Sequence, residues 1–300
     1  MEFLNKFQEG LAGKNKGLSA GLKTLNIKLN GVQKRTIYSV GASPKVGKTT
    51  FVDFSFVLAP YLLNVLKEGK KVKWIYLSYE INKIRKMFRL APFFFFLDYK
   101  LDKFTHKGKI YGINGSYLEG KLLDDDEETI KVLPEHQVIL KEIYENRLKP
   151  LFEGDKEKGI KPLIYVFENR TNPTGIRNLI FEYAKSIGNL IYEPYKDNAG
   201  NVKQKIAGYK QNDEELHTII ILDHIRKPTS ERGFTLKQNI DKILEYQVEI
   251  RNLCGFTFVN IAHLNRSLDN LDRLKFAQEF IHPSSGDFKD SGRTIIFFNL

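Results

Sequence analysis

The stretch from Ala42 to Thr49, Ala-Ser-Pro-Lys-Val-Gly-Lys-Thr, constrains the fold of this chain more than any other part of the sequence. A β-branched run, Thr36-Ile-Tyr-Ser-Val40, precedes it, and an apolar stretch beginning near Lys48 follows it. This order predicts a strand, a phosphate-binding loop and a helix, because backbone N–H groups in such a loop and at a helix N-terminus cradle phosphates. The motif is short enough to arise by chance in a Gly- and Lys-rich turn, so its support comes from the flanking strand and helix.

The residue types in this loop suit the β- and γ-phosphates of a nucleoside triphosphate, with ATP and Mg²⁺ as the expected ligands. Gly47 lets the backbone approach the phosphates, the Lys48 ammonium neutralises phosphate charge, and the Thr49 hydroxyl ligates Mg²⁺. Ala42 stands where the motif usually has its first glycine. The candidate nucleotide-binding residues are Ala42, Ser43, Pro44, Lys45, Val46, Gly47, Lys48, Thr49 and Thr50.

Composition narrows the class of protein. The 300 residues are 42% hydrophobic, enough for one large domain or two small ones. Since no apolar run approaches the ~18 residues of a membrane span and no signal peptide is visible, we expect no membrane partner. The single cysteine, Cys254, excludes an internal disulfide and fits the cytoplasm, and its apolar neighbours predict a buried side chain. The net charge of +11 favours polyanionic partners, although a merely soluble basic protein is the alternative.

Strands that alternate with helices predict an α/β fold with a mainly parallel sheet flanked by helices. We expect a linker or docking arm over residues 1–32, with a short helix and then extended chain, and one domain over 33–300. That domain carries an α-rich insertion at about 97–160, where the acidic run Asp124 to Glu128 reads as a solvated loop. Phe93 to Phe96 is predicted to be core at the end of a helix. The expected strands are 36–41, 72–78, 163–167, 218–222, 256–262 and 294–298, and 192–214 is expected to be a polar hairpin.

Three further side chains are candidates because they follow predicted strands. Asp223 ends the run Thr218 to Leu222, where an α/β sheet places ligand chemistry, and its carboxylate would hold the water shell of Mg²⁺; a turn cap is the alternative. Glu80 would orient the water that attacks the γ-phosphate, or else favour a helix N-terminus. His263 could sense the γ-phosphate, although a lone histidine usually has a local structural role.

The C-terminal part of the sequence resembles the DnaB-type hexameric replicative helicases. Ile261-Ala-His-Leu-Asn-Arg-Ser-Leu-Asp269 is similar to the third conserved motif of that family, in which a Gln, or a His in some phage relatives, precedes Leu-Asn-Arg-Ser. Gly286-Asp-Phe-Lys-Asp-Ser-Gly292 resembles a later segment with the pattern Asp-Leu-Arg-Glu-Ser-Gly. Pro44 in the loop, Glu80 after Leu77-Ser78, Asp223 after aliphatic residues and Gly21 to Asn26 fall in the same order as in the family.

This resemblance, which covers about 17–96 and 162–300, implies a RecA-like P-loop NTPase. It implies that Lys48 and Thr49 bind nucleotide and Mg²⁺, that Glu80 is the catalytic base, and that Asp223 belongs to the metal-binding strand. His263 would be the γ-phosphate sensor, so the implied catalytic set is Glu80, Lys48 and His263. Lys289, Asp290 and Gly292 match a central-channel loop that contacts the backbone of single-stranded DNA.

The sequence also departs from the family pattern. The family's N-terminal domain is absent, the insertion at about 97–160 is not typical, and the chain stops at Leu300. Family members continue with a basic segment that supplies an arginine finger to the neighbouring subunit, which is worth roughly 10³–10⁵ in rate. A chain without that segment, as a fragment or a natural truncation, is expected to hydrolyse ATP slowly.

The resemblance thus implies an ATP-driven helicase motor of phage or bacterial replication. Its expected partners are single-stranded DNA, further copies in a homo-hexamer, and a primase or loader. Two alternatives stay open from the residues. One is a RecA-superfamily recombination or packaging ATPase, and the other is an ATP-switched binding module that does not unwind DNA.

Overall fold

The structure is a computed structural model that describes residues 2–11, 15–42, 46–196, 200–263 and 294–297. The chain divides into two compact units. The first combines Met1–Trp74 with Arg170–Leu300, and the second is Ile75–Asn169, which contains the predicted insertion.

In the first unit, helices and strands alternate along the chain. Its helices are α1 (Glu2–Leu11), α2 (Lys23–Leu29), α3 (Lys48–Val52), α8 (Pro173–Ile187) and α9 (Leu236–Cys254). After Val52 the helix of α3 continues through wider π-type turns, Asp53–Leu58 and Tyr61–Val65. Its strands are β1 (Ile37–Ala42), β6 (Gly188–Lys196), β7 (Val202–Gln211), β8 (His217–Asp223), β9 (Thr257–His263) and β10 (Thr294–Phe297), together with the start of β2 (Val72–Ser78).

The main sheet of this unit runs in the order β10-β1-β9-β8-β2. Strand β1 pairs in parallel with β10 and with β9, and β8 pairs in parallel with β9. Every residue of β1 and of β8 is buried, as expected for central strands of a parallel sheet covered by helices on both faces. The predicted α/β fold with a parallel sheet is therefore confirmed, and β2 spans the predicted residues.

Helices cover this sheet through specific contacts. Trp74, fully buried in β2, donates its indole N–H to the carbonyl of Phe56 at 2.7 Å. Helices α8 and α9 pack together, and Arg177 of α8 donates two hydrogen bonds to the Glu249 carboxylate of α9 at 2.7 and 2.6 Å. A bidentate arginine–carboxylate pair fixes direction as well as distance, so it holds the two helices in register.

The N-terminal arm differs from the sequence prediction in one respect. After α1 we expected extended chain, but Lys23–Leu29 forms a helix that ends at Asn30 in the left-handed conformation. Leu18 pairs with Val32 in an isolated β-bridge, and both side chains are buried. The seven-residue helix depends on these tertiary contacts, because helices so short are not stable alone and leave little periodic signal.

The second unit is built mainly from helices. It contains α4 (Lys83–Tyr99), α5 (Gly115–Leu118), α6 (Pro134–Ile143, continued by a π-type turn over Tyr144–Leu148) and α7 (Lys149–Phe152). Its strands are the end of β2, the neighbouring β5 (Ile164–Phe167), and an antiparallel pair, β3 (Lys103–His106) and β4 (Lys109–Gly112). The pair β3–β4 was not anticipated in a region predicted to be α-rich.

Buried aromatic side chains organise this second unit. Phe94 and Phe95 are fully buried, as predicted, whereas Phe96 at the same end of α4 is 52% exposed. Helices α4 and α6, with the loop around Ile130, also line a largely apolar cavity of about 850 Å³.

The acidic run is not wholly solvated, which corrects the sequence prediction. The Asp124 side chain is only 3% exposed, and the Lys107 ammonium lies 2.7 Å from its carboxylate. The same ammonium contacts Asp126 at 3.1 Å and Glu128 at 2.9 Å. Lys107, in the turn between β3 and β4, thus pairs with three of the five carboxylates of the acidic run, a pairing that no local sequence pattern indicates.

Candidate functional site

The described part of the candidate phosphate loop contains a glycine in the left-handed conformation. Gly47 adopts φ 85° and ψ 21°, in the left-handed region that favours glycine, and it caps the start of α3. Among the residues that the structure describes, no atom lies within 4 Å of a Cβ placed on Gly47, so none of them closes the space at this turn. Ala42 is the last residue of β1, whereas Ser43, Pro44 and Lys45 lie outside the described residues. The strand–loop–helix order is therefore present.

Helix α3 places the next two candidates at its first turn. Lys48 is its first residue and is 6% exposed. Thr49 follows, half-buried, and Thr50 is exposed. A largely buried lysine at a helix N-terminus, beside an open glycine turn, places a positive charge where backbone N–H groups also favour an anion.

The structure brings the phosphate loop and the predicted metal strand together. The Thr49 hydroxyl lies 3.5 Å from Oδ1 of Asp223, a distance at the outer limit of a hydrogen bond. Asp223 ends β8 and is 3% exposed. Hydroxyl and carboxylate oxygens are ligands that suit Mg²⁺ or its water shell, so these two side chains fit the metal that the motif implies. The described residues hold no cluster of three or more His, Cys, Asp or Glu side chains that could hold a metal ion.

The register of β9 places His263 at the same edge of the sheet. Strand β9 lies between β1 and β8, and His263, its last residue, pairs with Ala42 at the end of β1. The backbone of His263 therefore emerges beside the phosphate loop. Its predicted sensing role stays a prediction.

Glu80 lies in the second unit, two residues after β2 ends, and is exposed. The turn that carries it is shaped by Ser78, whose hydroxyl donates to the carbonyl of Ile81 at 2.6 Å. The carboxylate that accepts from the backbone N–H of Lys83, in the first turn of α4, is that of Glu168 at 2.7 Å. The N-cap residue of α4, Asn82, accepts from the backbone N–H of Arg85 at 2.9 Å. The catalytic role of Glu80 and its alternative, a favourable charge at the helix N-terminus, both stay predictions.

The remaining candidates of the sequence lie outside the part of the chain that the structure describes. These are the predicted DNA-contact residues Lys289, Asp290 and Gly292.

The loop after Asp223 is held by a set of hydrogen bonds that no sequence pattern indicates. The Glu231 carboxylate accepts hydrogen bonds from the backbone N–H and the hydroxyl of Thr174 at 2.9 and 2.6 Å, and it contacts the Lys242 ammonium. The Lys242 hydrogen bond, followed by those of Thr174, lowers the pKa of Glu231 to about 2. The three residues lie on α8, the loop and α9, so only the tertiary fold reveals that this loop is tied on both sides.

Cys254 is buried, as predicted. Burial raises the pKa of its thiol to about 12, which leaves no thiolate for nucleophilic chemistry at neutral pH.

Within the described ranges, no helix is long and apolar enough to cross a membrane.

Comparison with known proteins supports the fold. No family model matches the sequence, and no curated protein matches it. Among solved structures, a DnaB-like replicative helicase, determined in a study of its interactions with primase, has a similar fold. The TM-score is 0.57 at 12% sequence identity, over 98% of this chain and 55% of the helicase chain. The chain therefore spans about half of the helicase it matches, and its RecA-like α/β fold is confirmed.

Proposed function

We propose that this chain is the motor of an ATP-dependent helicase that moves along single-stranded DNA in phage or bacterial replication. The observation that carries the proposal is the approach of Thr49 to Asp223 at 3.5 Å, next to the buried Lys48 at the start of α3. An ammonium beside a paired hydroxyl and carboxylate supports a site for a triphosphate and a hydrated Mg²⁺. The RecA-like fold and the DnaB-like sequence motifs favour DNA translocation as the use of ATP.

The proposed chemistry assigns one task to each residue. The loop around Gly47 and the Lys48 ammonium bind the β- and γ-phosphates, and the Thr49 hydroxyl with the Asp223 carboxylate orients the bound Mg²⁺. When present, Mg²⁺ neutralises charge that develops on the phosphate oxygens. Glu80 positions the water for in-line attack and accepts its proton, and His263 donates a hydrogen bond that reports the γ-phosphate.

Movement on DNA is assigned to the loop containing Lys289, Asp290 and Gly292. A lysine there contacts phosphate as a point charge, so binding would be independent of base sequence. We propose a homo-hexameric ring acting in the bacterial cytoplasm, with a primase or loader as a further partner. The solved DnaB-like helicase was studied with primase, which favours this partner.

The test is the ATPase rate of the full-length protein with and without single-stranded DNA, followed by strand displacement on a forked duplex. We expect Mg²⁺-dependent hydrolysis that DNA stimulates, unwinding, and a hexamer by mass measurement when ATP and DNA are both present. Stimulation without strand displacement would favour a recombination or packaging ATPase. Tight ATP binding with negligible turnover, unaffected by Glu80→Gln, would favour an ATP-switched binding module.

A further inference from the structure

The hairpin β6–β7 is a feature that the proposed motor does not use. It forms a two-stranded antiparallel sheet of its own between α8 and β8. Its base packs on α8 and α9, where the Tyr209 hydroxyl donates to the carbonyl of Ala184 at 3.0 Å. Beyond Ile191 every residue of β6 is exposed, so most of the hairpin projects from the unit that carries it.

A β-bulge places three lysines on one face of this hairpin. Lys203 pairs with Tyr195, Lys205 with Glu193 and Lys210 with Asn189. The β6 partners are all at odd positions, so they share a face, since side chains alternate along a strand. Lys205 and Lys210 are five residues apart and would point to opposite faces in a regular strand. The bulge at Ala207, between the pairs Ile191–Gly208 and Tyr192–Ile206, restores their common face.

This face is basic and carries an exposed aromatic ring. Lys203, Lys205 and Lys210 are all exposed, and Tyr195 is 40% exposed beside Lys203. Glu193 is the carboxylate on the same face. The other face packs inward at the base, where Leu190 and Tyr209 are half-buried. The hairpin therefore has one outward face. On this face β7 carries the three lysines and β6 carries the Tyr195 ring.

The positive charge continues from the hairpin onto the body of the unit. Lys210 lines a cavity of about 310 Å³ together with Lys34, Arg35 and one carboxylate, that of Glu214. The Lys34 ammonium donates to the backbone carbonyls of Glu214 and Glu215 at 2.9 and 3.1 Å. The backbone N–H of Arg35 donates to the Gly255 carbonyl at 3.3 Å, and the Arg35 side chain is exposed. We call Lys203, Lys205, Lys210 and Arg35 the basic strip.

We propose that the basic strip binds the phosphate backbone of a single-stranded nucleic acid, with a base stacked on Tyr195. A row of lysines neutralises successive phosphates, and an exposed aromatic ring provides a platform for unpaired bases of any sequence. An exposed tyrosine in that row suits a base better than an acidic peptide side chain, because every base has a stacking face.

This second nucleic-acid site is independent of the proposed ATPase function. The hairpin leads into the first residue of β8, whereas Asp223 is its last, and a seven-residue strand is about 20 Å long. The strip therefore begins at the amino edge of the sheet and the nucleotide site lies at the carboxyl edge. Binding at the strip is expected without ATP.

The experiment measures binding of a labelled oligothymidylate by fluorescence anisotropy, without nucleotide, over a series of salt concentrations. All proteins compared carry Lys289→Ala, so that the proposed channel loop contributes little to the measured binding of the oligonucleotide. We expect the triple variant of Lys203, Lys205 and Lys210 to alanine to weaken binding and to reduce the salt slope by about 2, at ~0.7 for each lost phosphate contact. Tyr195→Ala should weaken binding about fivefold or more, whereas Tyr195→Phe keeps the ring and the affinity.

The matched control removes the same charge elsewhere. Lys103, Lys131 and Lys156 are exposed lysines of the second unit, and their triple alanine variant should leave affinity and slope unchanged. ATP affinity, which the hairpin variants should retain, verifies that each variant is folded. Photo-crosslinking of a bromouracil-substituted strand should label the peptide that contains Tyr195.

Three results would overturn the proposal. One is an unchanged salt slope in the hairpin triple variant, and another is an equal loss in the control variant, which would reflect net charge alone. The third is tighter binding of duplex than of single strands with no effect of Tyr195→Ala, which would exclude stacking.

Discussion

The hydroxyl of Thr49 lies 3.5 Å from a carboxylate oxygen of Asp223, although the two residues are 174 positions apart. Thr49 follows the loop after β1, and Asp223 ends β8, with β9 between these strands. Their approach defines one edge of the sheet as the place where a phosphate ligand and a metal would meet.

Replacing Asp223 tests this relationship most directly. Asp223→Asn keeps the size of the side chain and removes its charge. If Asp223 holds the Mg²⁺ water shell, the Mg²⁺ concentration for half-maximal hydrolysis should rise about 10- to 100-fold, the usual cost of an altered outer-shell partner. ATP affinity measured in EDTA should stay the same. Identical Mg²⁺ titrations for variant and wild type would exclude the assigned role.

Lys48 is expected to contribute mainly to binding of the triphosphate. Lys48→Ala should weaken ATP binding about 10- to 100-fold, because it removes a hydrogen bond from a charged donor. Lys67, exposed after the last π-type turn of the same helix, provides the control, and Lys67→Ala should bind as wild type does. Isothermal titration with ATP measures both. Full affinity in Lys48→Ala would contradict the whole nucleotide-site assignment.

Variants of Glu80 and Glu168 distinguish a catalytic role from a role at the N-terminus of α4. Glu80→Gln should bind ATP normally and hydrolyse it about 10²- to 10⁴-fold more slowly, the range for loss of a general base. Glu168→Ala removes the oxygen that accepts from the N–H of Lys83, so it should lower thermal stability with little change in turnover per folded molecule. Single-turnover hydrolysis and thermal unfolding distinguish the two, and equal rates in Glu80→Gln and wild type would rule out the base.

His217 predicts how stability depends on pH. It begins β8, and its Nε2 lies 2.8 Å from the Thr257 hydroxyl. Burial, with smaller contributions from Lys34 and Lys70, lowers its pKa from 6.5 to about 3. Between these two pKa values the unfolded chain binds a proton on this histidine and the native state does not. The contribution of neutral His217 to the free energy of unfolding is therefore complete above pH 6.5 and decreases as the pH falls towards 3.

Because His217 gains a proton only in the unfolded chain, we expect the free energy of unfolding to decrease by about 2 kcal/mol between pH 7 and pH 5. His217→Gln can keep the hydrogen bond to Thr257 and does not titrate, so urea unfolding should show a smaller loss over that interval. Burial also lowers the pKa of His136, and part of the pH dependence should therefore remain. A variant with the same pH dependence as wild type would show that His217 does not titrate in this way.

Lys107 is expected to hold the acidic loop in place. The hydrogen bond from Lys107 is the main cause that lowers the pKa of Asp124 to about 2, and the backbone N–H groups of Glu128 and Asp126 contribute less. Lys107→Met should raise that pKa towards 3.8, lower the melting temperature at neutral pH, and weaken the acid destabilisation that begins as pH falls below about 4. An NMR titration of the Asp124 carboxyl measures the shift. Lys109→Met, which removes an exposed contact to Asp125, should leave the Asp124 titration unchanged.

Local sequence patterns predicted several strands close to their observed positions. The run Val72 to Ser78 predicted β2, and the polar hairpin predicted near 192–214 is β6–β7. Apolar runs bounded by turns carry that information in consecutive residues. The helix α2, the strands β3 and β4, and the pairing of Lys107 with Asp124 were missed, because each depends on contacts between distant segments.

The sequence by itself determined the order of strand, loop and helix around Gly47, because the strand before the loop and the helix that starts at Lys48 follow from neighbouring residues. It also nominated Asp223 as the end of a buried strand. The motifs had already assigned Thr49 and Asp223 to one Mg²⁺. The distance between the two side chains was decided only by the tertiary structure, since the order of parallel strands brings the carboxyl ends of β1 and β8 to one edge. The common face of Lys205 and Lys210 was likewise decided by strand pairing, because a bulge exists only relative to the partner strand.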